Sequence, residues 1–475
     1  MKASKDIPPI RVVGTLDQVG YGYALRGNTE ALRAVGLGPD RVHLMPATTT
    51  QPVDALLRAD PWLNEYMYNV GGEDKINIVH LNPALVGTYH TSVGGRYNIA
   101  VCAWETNQLP KEQHHAALAS VELPRRSPFD DGSSIGVADS KTAGAMAEMQ
   151  ADIEGRADAI EVCGLCRGNG VTAEGDPCPH GCEAPLPIVQ TVVGNLNRFD
   201  EIWVPSEHVK WVFEESGVTA PVYVIPHVLQ ERLLALPPKE AVTLAPRDTV
   251  HLYHVGTWNA RKDPEALVRA YWSCGWNPTD RVRLLLHLVP PNRAESAVFA
   301  HQEMVRNRLS ALKKIAGPGG EAQLGLLTTP RSYDWILRMH QQCNVFCSAS
   351  HGEGFAAGLG ALEAVAMGNY VIGGGGPSLD DLALQAPDAV VVLPKQEVQV
   401  TPMPEYAGYE LDQTWWQVRQ ADLAGAIKEL TAQLQDGLVD GAPPEEVERV
   451  RAYYSPGNIG KKMLKRLEYA AEQVG

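Results

Sequence analysis

The sequence predicts an α/β protein built as two parallel-sheet domains, and three observations carry that prediction. Its 475 residues, 44% hydrophobic and 20% charged, suffice for two ordinary domains with full cores, where one domain would be unusual. Two apolar runs, IRVVG (10–14) and VHLYHVG (250–256), end at glycine and are each followed by a loop and a helical pattern. The third observation is the stretch 344–372. There an apolar strand NVFCS, the glycine-rich loop SHGEGFAAG, a helix and a second strand follow one another.

In chain order, strand 10–14 leads through DQVGYG (17–22) to a helical run over 24–35 that stops at Gly36. Residues 75–82 and 95–105 read as further strands. Because ligands collect outside the carboxyl ends of strands in open parallel sheets, His80, Asn82, Trp104 and Glu105 are placed near any cleft. A polar, proline-bearing lead (124–136) and a helix over 142–159 then precede CGLCRGNG (163–170) and CPHGC (178–182). Two close cysteine pairs, with eleven residues between Cys166 and Cys178, suit a tetrahedral Zn²⁺ held by Cys163, Cys166, Cys178 and Cys182. His180 is an alternative ligand, and free or redox cysteines are the competing reading. The scattered Cys102, Cys274, Cys343 and Cys347 belong to the core.

The framework resumes with NRFDEIWVPS (197–206), a helix over 208–216 and a strand over 222–226, and the proline-rich 230–248 reads as a linker. After strand 250–256 comes TWNARKDP (257–264), in which Asp263 and Pro264 form an N-cap and first-turn pair and Leu267, Val268 and Tyr271 supply the buried face. Residues 281–289 are a strand, and 302–315 and 333–342 are helices. Tyr406, Tyr409, Trp415 and Trp416 crowd segment 394–417, where packing is a commoner role than stacking on sugars, and no site is assigned there. Ser455 and Pro456 open a last helix with one apolar stripe, Ile459, Met463, Leu464 and Leu467.

The chemistry concentrates in the stretch 350–368. A glycine-rich loop leaves backbone N–H groups free at a helix N-terminus, where the macrodipole and the unpaired donors favour an anion such as phosphate. Helical side chains lean toward the N-terminus, so Glu363 can present a carboxylate near the loop and accept two hydrogen bonds from a vicinal diol. Glu353, in the loop itself, can accept hydroxyl groups at the other end of the same ligand; the competing reading has both acids solvated or capping the helix. Arg261 and Lys262 precede a helix N-terminus at a strand's carboxyl end, which suits a diphosphate, against the alternative of a solvated basic pair.

The stretch 350–368 resembles the donor-site motif of the retaining glycosyltransferases of family 4. That motif reads EGFG, a spacer and LEAMAxG with seven residues between the acids, whereas this chain has EGFA, then LEAVAMG, with nine between Glu353 and Glu363. RYNI (96–99), followed by Trp104, Glu105 and Pro110, is similar to a pattern in one branch of these transferases, and DEIWVPS and VIPH are close to other family segments. Two departures stand out. Where many relatives carry a histidine this chain has Trp104 and Glu105, and where many have an arginine after the strand glycine it has Thr257. The cysteine segment looks like the zinc modules of the chaperone DnaJ.

The resemblance implies a GT-B architecture: two doubly wound, Rossmann-like domains facing a cleft, with a small zinc-ribbon-like insert. It implies that Gly20, Gly22, Arg261, Lys262, Glu353, Gly354, Phe355, Ala356, Gly358 and Glu363 bind a nucleotide-sugar donor. Lys262, Glu353 and Glu105 would take part in the transfer, with Glu105 orienting or deprotonating the acceptor hydroxyl unless it is a buried acid paired with an arginine. The acceptor would be a carbohydrate or another hydroxyl compound, and no catalytic metal is required. The expected organisation is an acceptor-side domain 1–229 with an insert 111–187 containing a zinc module 160–184, a linker 230–248, a donor domain 249–454, and a helix 455–475 crossing back.

Composition bounds the partners. A net charge of −15 argues against a broad nucleic-acid or anionic-membrane surface, although a local basic groove stays open. No apolar run reaches the roughly 18 residues of a membrane span, and the polar start MKASKD lacks a signal-peptide core, so the expected location is cytoplasmic. Three alternatives remain at this stage: a transferase acting on modified nucleic-acid bases, as some viral ones of this architecture do, an epimerase of nucleotide sugars, and a non-catalytic GT-B scaffold.

Overall fold

The computed structural model describes residues 7–16, 20–47, 57–58, 60–67, 75–83, 96–110, 191–239, 249–277, 279–290, 295–316, 323–354, 358–374, 376–401 and 409–475. Residues 111–190, with the four clustered cysteines, lie outside this set, as do Phe355 and Ala356.

The first sheet contains β1 (Ile10–Gly14), β2 (Val42–Pro46), β3 (Ile76–His80), β4 (Tyr97–Val101), β5 (Glu201–Val204) and β6 (Val222–Val224). All pairings are parallel, in the order β2-β1-β3-β4-β5-β6. Helices α1 (Gly20–Ala34), α2 (Asn64–Met67), α3 (Val192–Leu196) and α4 (Glu207–Glu215) belong to this half, and α5 (Glu231–Leu234) follows β6. The second half runs β7 (Val250–Gly256), α6 (Pro264–Ser273), β8 (Val282–Leu288), α7 (Glu295–Ala316), β9 (Leu324–Leu327), α8 (Tyr333–Gln342), β10 (Val345–Ser348), α9 (Leu359–Ala366), β11 (Tyr370–Gly373), α10 (Ser378–Gln385) and β12 (Val390–Val392). Its sheet is also parallel, in the order β12-β11-β10-β7-β8-β9. An antiparallel hairpin of β13 (Lys395–Gln399) and β14 (Thr414–Val418) comes next, then α11 (Gln420–Gln435), α12 (Pro444–Tyr453) and α13 (Pro456–Val474).

Strand side chains alternate between faces, so a doubly wound sheet needs apolar residues at every strand position. Val345 and Cys347 of β10 pack with α6 and α11, while Phe346 between them packs with α8 and α9. In the first sheet Ile76 and Ile78 of β3 join the core of α1 and α13, and Val79 joins that of α3 and α4. Cys102, Cys274, Cys343 and Cys347 are all buried, as their scatter suggested. Helix α13 returns to the first sheet: Ile459, Met463, Leu467 and Val474 sit in the same cluster as Ile10 and Val12. Burying each such aliphatic side chain contributes roughly 1.5–3 kcal/mol, enough to fix the tail. The close approach needs Gly460, because a Cβ there would lie 2.2 Å from the Ala31 carbonyl oxygen of α1.

Three details differ from the expectations. Helix α1 starts at Gly20 rather than 24, so Gly20 and Gly22 occupy its first turn. Two tyrosines between and after those glycines anchor the turn. The Tyr21 hydroxyl donates to Ala103 O at 3.1 Å and the Tyr23 ring lies 5.2 Å from that of Tyr333, contacts that outweigh glycine's poor helix propensity. Helix α7 begins at Glu295, a turn and more before the expected residue 302. Within the expected linker, α5 is helical and pinned, since Leu233 joins the second core and Arg451 Nη2 donates to the carbonyls of Leu234 and Leu236 at 2.7 and 2.9 Å. No helix among the described residues is long and apolar enough to cross a membrane.

Candidate functional site at the domain junction

Strand order reverses between β7 and β10, a switch point of the kind at which open parallel sheets collect ligands outside the carboxyl ends of their strands. The loop after β7 carries Arg261 and Lys262; the loop after β10 carries Ser350 to Gly354. The backbone stitches them together, with His351 N donating to Arg261 O at 2.7 Å. Asp263 completes the junction from a left-handed backbone (φ 39°). Its Oδ1 accepts from Ala266 N at 3.0 Å to cap α6, and its Oδ2 lies 3.1 Å from His351 Nε2.

Four charged side chains meet here. Lys262 Nζ donates to Glu353 Oε1 and Oε2 at 2.5 and 2.6 Å. Arg261 Nη1 donates to Gly352 O at 2.6 Å and to Glu353 Oε2 at 3.4 Å, while its Nη2 lies 3.9 Å from Glu105 Oε1. The Tyr409 hydroxyl, from the loop before β14, donates to Glu105 Oε2 at 2.9 Å. Side-chain exposures of 9 to 20% leave all four largely out of water, which strengthens every Coulomb contact among them. Burial alone pushes the Glu353 carboxyl up, but Lys262 and Arg261 more than offset it and hold the group below its ordinary value. Removing one member of such a buried pair costs about 3–5 kcal/mol, since the other charge is left uncompensated.

The glycines explain how the second domain comes so close to the first. A Cβ on Gly352 would lie 2.1 Å from Glu105 O, and one on Gly354 would lie 2.9 Å from Trp104 N, so the loop packs directly on the chain leaving β4. Gly358, the N-cap of α9, has φ 82°, a region that disfavours other residues. Its Cβ would sit 3.0 Å from Glu353 Cδ and Oε2, placing that carboxylate at the helix N-terminus.

Glu363 belongs to an adjacent polar group about 7.5 Å further along α9, five residues at about 1.5 Å each. Its Oε1 accepts from the Tyr333 hydroxyl at 2.7 Å and its Oε2 lies 3.4 Å from His340 Nε2. His340 Nδ1 is 2.6 Å from the Tyr253 hydroxyl, which also accepts from Asn369 Nδ2 at 3.2 Å. Burial, and then the Glu363 charge, raise the Tyr333 hydroxyl well above its usual value, so it stays protonated and serves as the donor. His80, at the end of β3, is buried against Tyr21 and pulled down to about 3, and is therefore neutral.

The structure thus brings together Glu105, Arg261, Lys262, Glu353, Gly354 and Gly358, sets Glu363 beside them, and puts Gly20 and Gly22 in the turn of α1 whose Tyr23 reaches Tyr333. One arrangement differs from the expectation. The carboxylate of Glu353 faces the two cations, so its negative charge stands where a diphosphate was expected. The sequence does not mark Tyr409, Tyr333 or His351. Tyr409 stands in a segment whose aromatics suit packing, and only the fold carries it to Glu105. No group of three or more His, Cys, Asp or Glu side chains suited to a metal occurs among the described residues; Cys163, Cys166, Cys178 and Cys182 are not among them.

No family model matches this sequence, and no curated protein matches it, so its relationships are visible in the fold. Among solved structures it is similar to Anabaena HepE in complex with UDP, at 11% identity and a TM-score of 0.53 over 98% of this chain and 100% of that one. HepE in complex with UDP-glucose gives 12% identity and a TM-score of 0.51, covering 97% of this chain and 99% of that one. The trehalose-6-phosphate synthase OtsA gives 10% identity and a TM-score of 0.53, covering 97% of this chain and 98% of that one. Likeness along the whole length at such low identity establishes the architecture, two parallel-sheet α/β domains of the GT-B kind.

Proposed function

We propose that this chain is a retaining glycosyltransferase that moves a sugar from a nucleotide-sugar donor to an acceptor hydroxyl. The observation that carries the reading is the placement of Arg261 and Lys262 beside the N-terminus of α9, at the reversal between β7 and β10 and directly across from Glu105. Solved structures of this fold that hold UDP or UDP-glucose support a nucleotide-sugar donor.

In this mechanism Lys262, Arg261 and the amides at the start of α9 neutralise the diphosphate as charge grows on it. Glu363, fixed by Tyr333, accepts from the ribose hydroxyls, and Glu353 from those of the sugar. The acceptor enters from the side of Glu105. Its oxygen bonds to the anomeric carbon on the leaving-group face as the bond from that carbon to the phosphate oxygen breaks, and the departing phosphate takes the hydroxyl proton. Configuration is thereby retained. Lys262→Ala is expected to lower turnover of a nucleotide sugar about 100-fold or more, the usual effect of losing a preorganised charge partner. Glu363→Ala should act chiefly on donor affinity. Near-normal transfer by both variants, with melting curves showing them folded, would sink the reading.

A further inference from the structure

The loop after β10 delivers a carboxylate into a site whose two cations and helix N-terminus favour an outside anion. Both oxygens of Glu353 rest on Lys262 Nζ, one of them also faces Arg261, and the group lies against Gly358 at the head of α9. Two cations and a helix N-terminus attract a negative group, and Glu353 of the chain itself meets that demand. Charge balance sharpens the point. Among the described residues, Arg261 and Lys262 face two acids, Glu353 and Glu105. A diphosphate adds at least two negative charges to a nearly dry site, where unbalanced charge is strongly penalised. One carboxylate must give way. Glu105 is 3.9 Å from Arg261 and is held on its other oxygen by Tyr409, whereas Glu353 covers the Lys262 ammonium with both oxygens. Entry of the diphosphate therefore falls on Glu353.

We propose that Glu353 is an internal competitor for the donor diphosphate: it occupies the Arg261 and Lys262 clamp when no donor is bound and is displaced when one enters. The inference rests on the donor-site reading given above and adds a direction to it. The same residue that would serve the sugar in transfer opposes binding of the phosphates, and it returns to the cations when the spent nucleoside diphosphate leaves. A clamp that is free only part of the time weakens apparent affinity by that fraction, so removing the competitor should strengthen binding.

The probe is inorganic pyrophosphate, titrated calorimetrically into the wild-type chain and into Glu353→Gln, Glu353→Asp and Lys262→Ala. Glu353→Gln is expected to bind at least tenfold more tightly than wild type. Glu353→Asp keeps the charge but is one methylene too short to cover Lys262 fully, so it should also bind more tightly, by a smaller factor; it keeps the test alive if the Gln variant does not fold. Lys262→Ala should bind more weakly. If Lys262→Ala weakens binding while neither Glu353 variant gains, the competitor role is overturned and the clamp stands. If pyrophosphate binding is absent, or is indifferent to Lys262, the clamp and the competitor fall together.

Discussion

Asp263 combines a strained backbone with two contacts, and the combination is open to measurement. A left-handed conformation costs an ordinary L-residue roughly 1–2 kcal/mol, less for Asp or Asn, and loss of a side-chain N-cap costs about 1 kcal/mol more. At Asp263 both effects act together, with φ 39°, one oxygen capping α6 and the other facing His351. Asp263→Ala should therefore destabilise the second half by about 1–3 kcal/mol, while Asp263→Asn, which tolerates the same backbone and can still cap, should lie close to wild type. Equal thermal midpoints for the two variants would remove the account. At this scale the sequence showed much of the site. Arg261 and Lys262 stood at a strand end before a cap signal, and Glu353 and Glu363 stood in a glycine-rich loop and the helix after it. It did not show which of these would pair, because the contact of Glu353 with Lys262 joins loops 91 residues apart. Nor did it mark Tyr409, which reaches Glu105 across 304 residues.

Elements were legible where the pattern was local. Strand β7 and helix α8 fall where the sequence put them, and Ser455 with Pro456 marks a real helix start, its side chain accepting from Asn458 N. The misses have tertiary causes. Helix α1 extends over two glycines because Tyr21 and Tyr23 are tied down by other elements, and the β13-β14 hairpin is stabilised by the first domain, with Asn107 and Thr414 exchanging bonds of 3.0 and 2.8 Å. The cysteine segment is the reverse case, since its spacing alone makes a definite prediction. Four thiolates in two close pairs should hold one structural Zn²⁺ per chain, with the metal supplying folding energy to the segment. Metal analysis of the purified chain is expected to give one zinc, and Cys163→Ser with Cys166→Ser should abolish it. A zinc-free preparation with four titratable thiols in that segment would contradict the assignment.

The two halves of the molecule meet through buried groups rather than through a bare hinge, and one of those groups makes the junction sensitive to pH. Glu30 of α1 is buried, and its Oε2 accepts from Glu231 N at 2.7 Å, at the start of α5. That short helix in turn reaches the second half through Leu233 and through Arg232, which pairs with Asp334 of α8. Burial is the main cause that raises the Glu30 carboxyl to about 7; the Glu231 N–H and Arg33 work against it, and the Glu231 and Asp60 charges reinforce it. A folded value above the unfolded one means that the native state holds the proton more tightly. Stability from this group is thus fully present below about 4.5 and is lost as pH rises through about 7. Taken over that interval the loss amounts to about 3.5 kcal/mol at most, at about 1.4 kcal/mol per unit. Glu30→Gln keeps an oxygen for the Glu231 N–H and cannot ionise. Its thermal midpoint should match wild type near pH 5 and exceed it by several degrees at pH 8, and parallel curves for the two proteins across that range would show that Glu30 does not titrate in the junction.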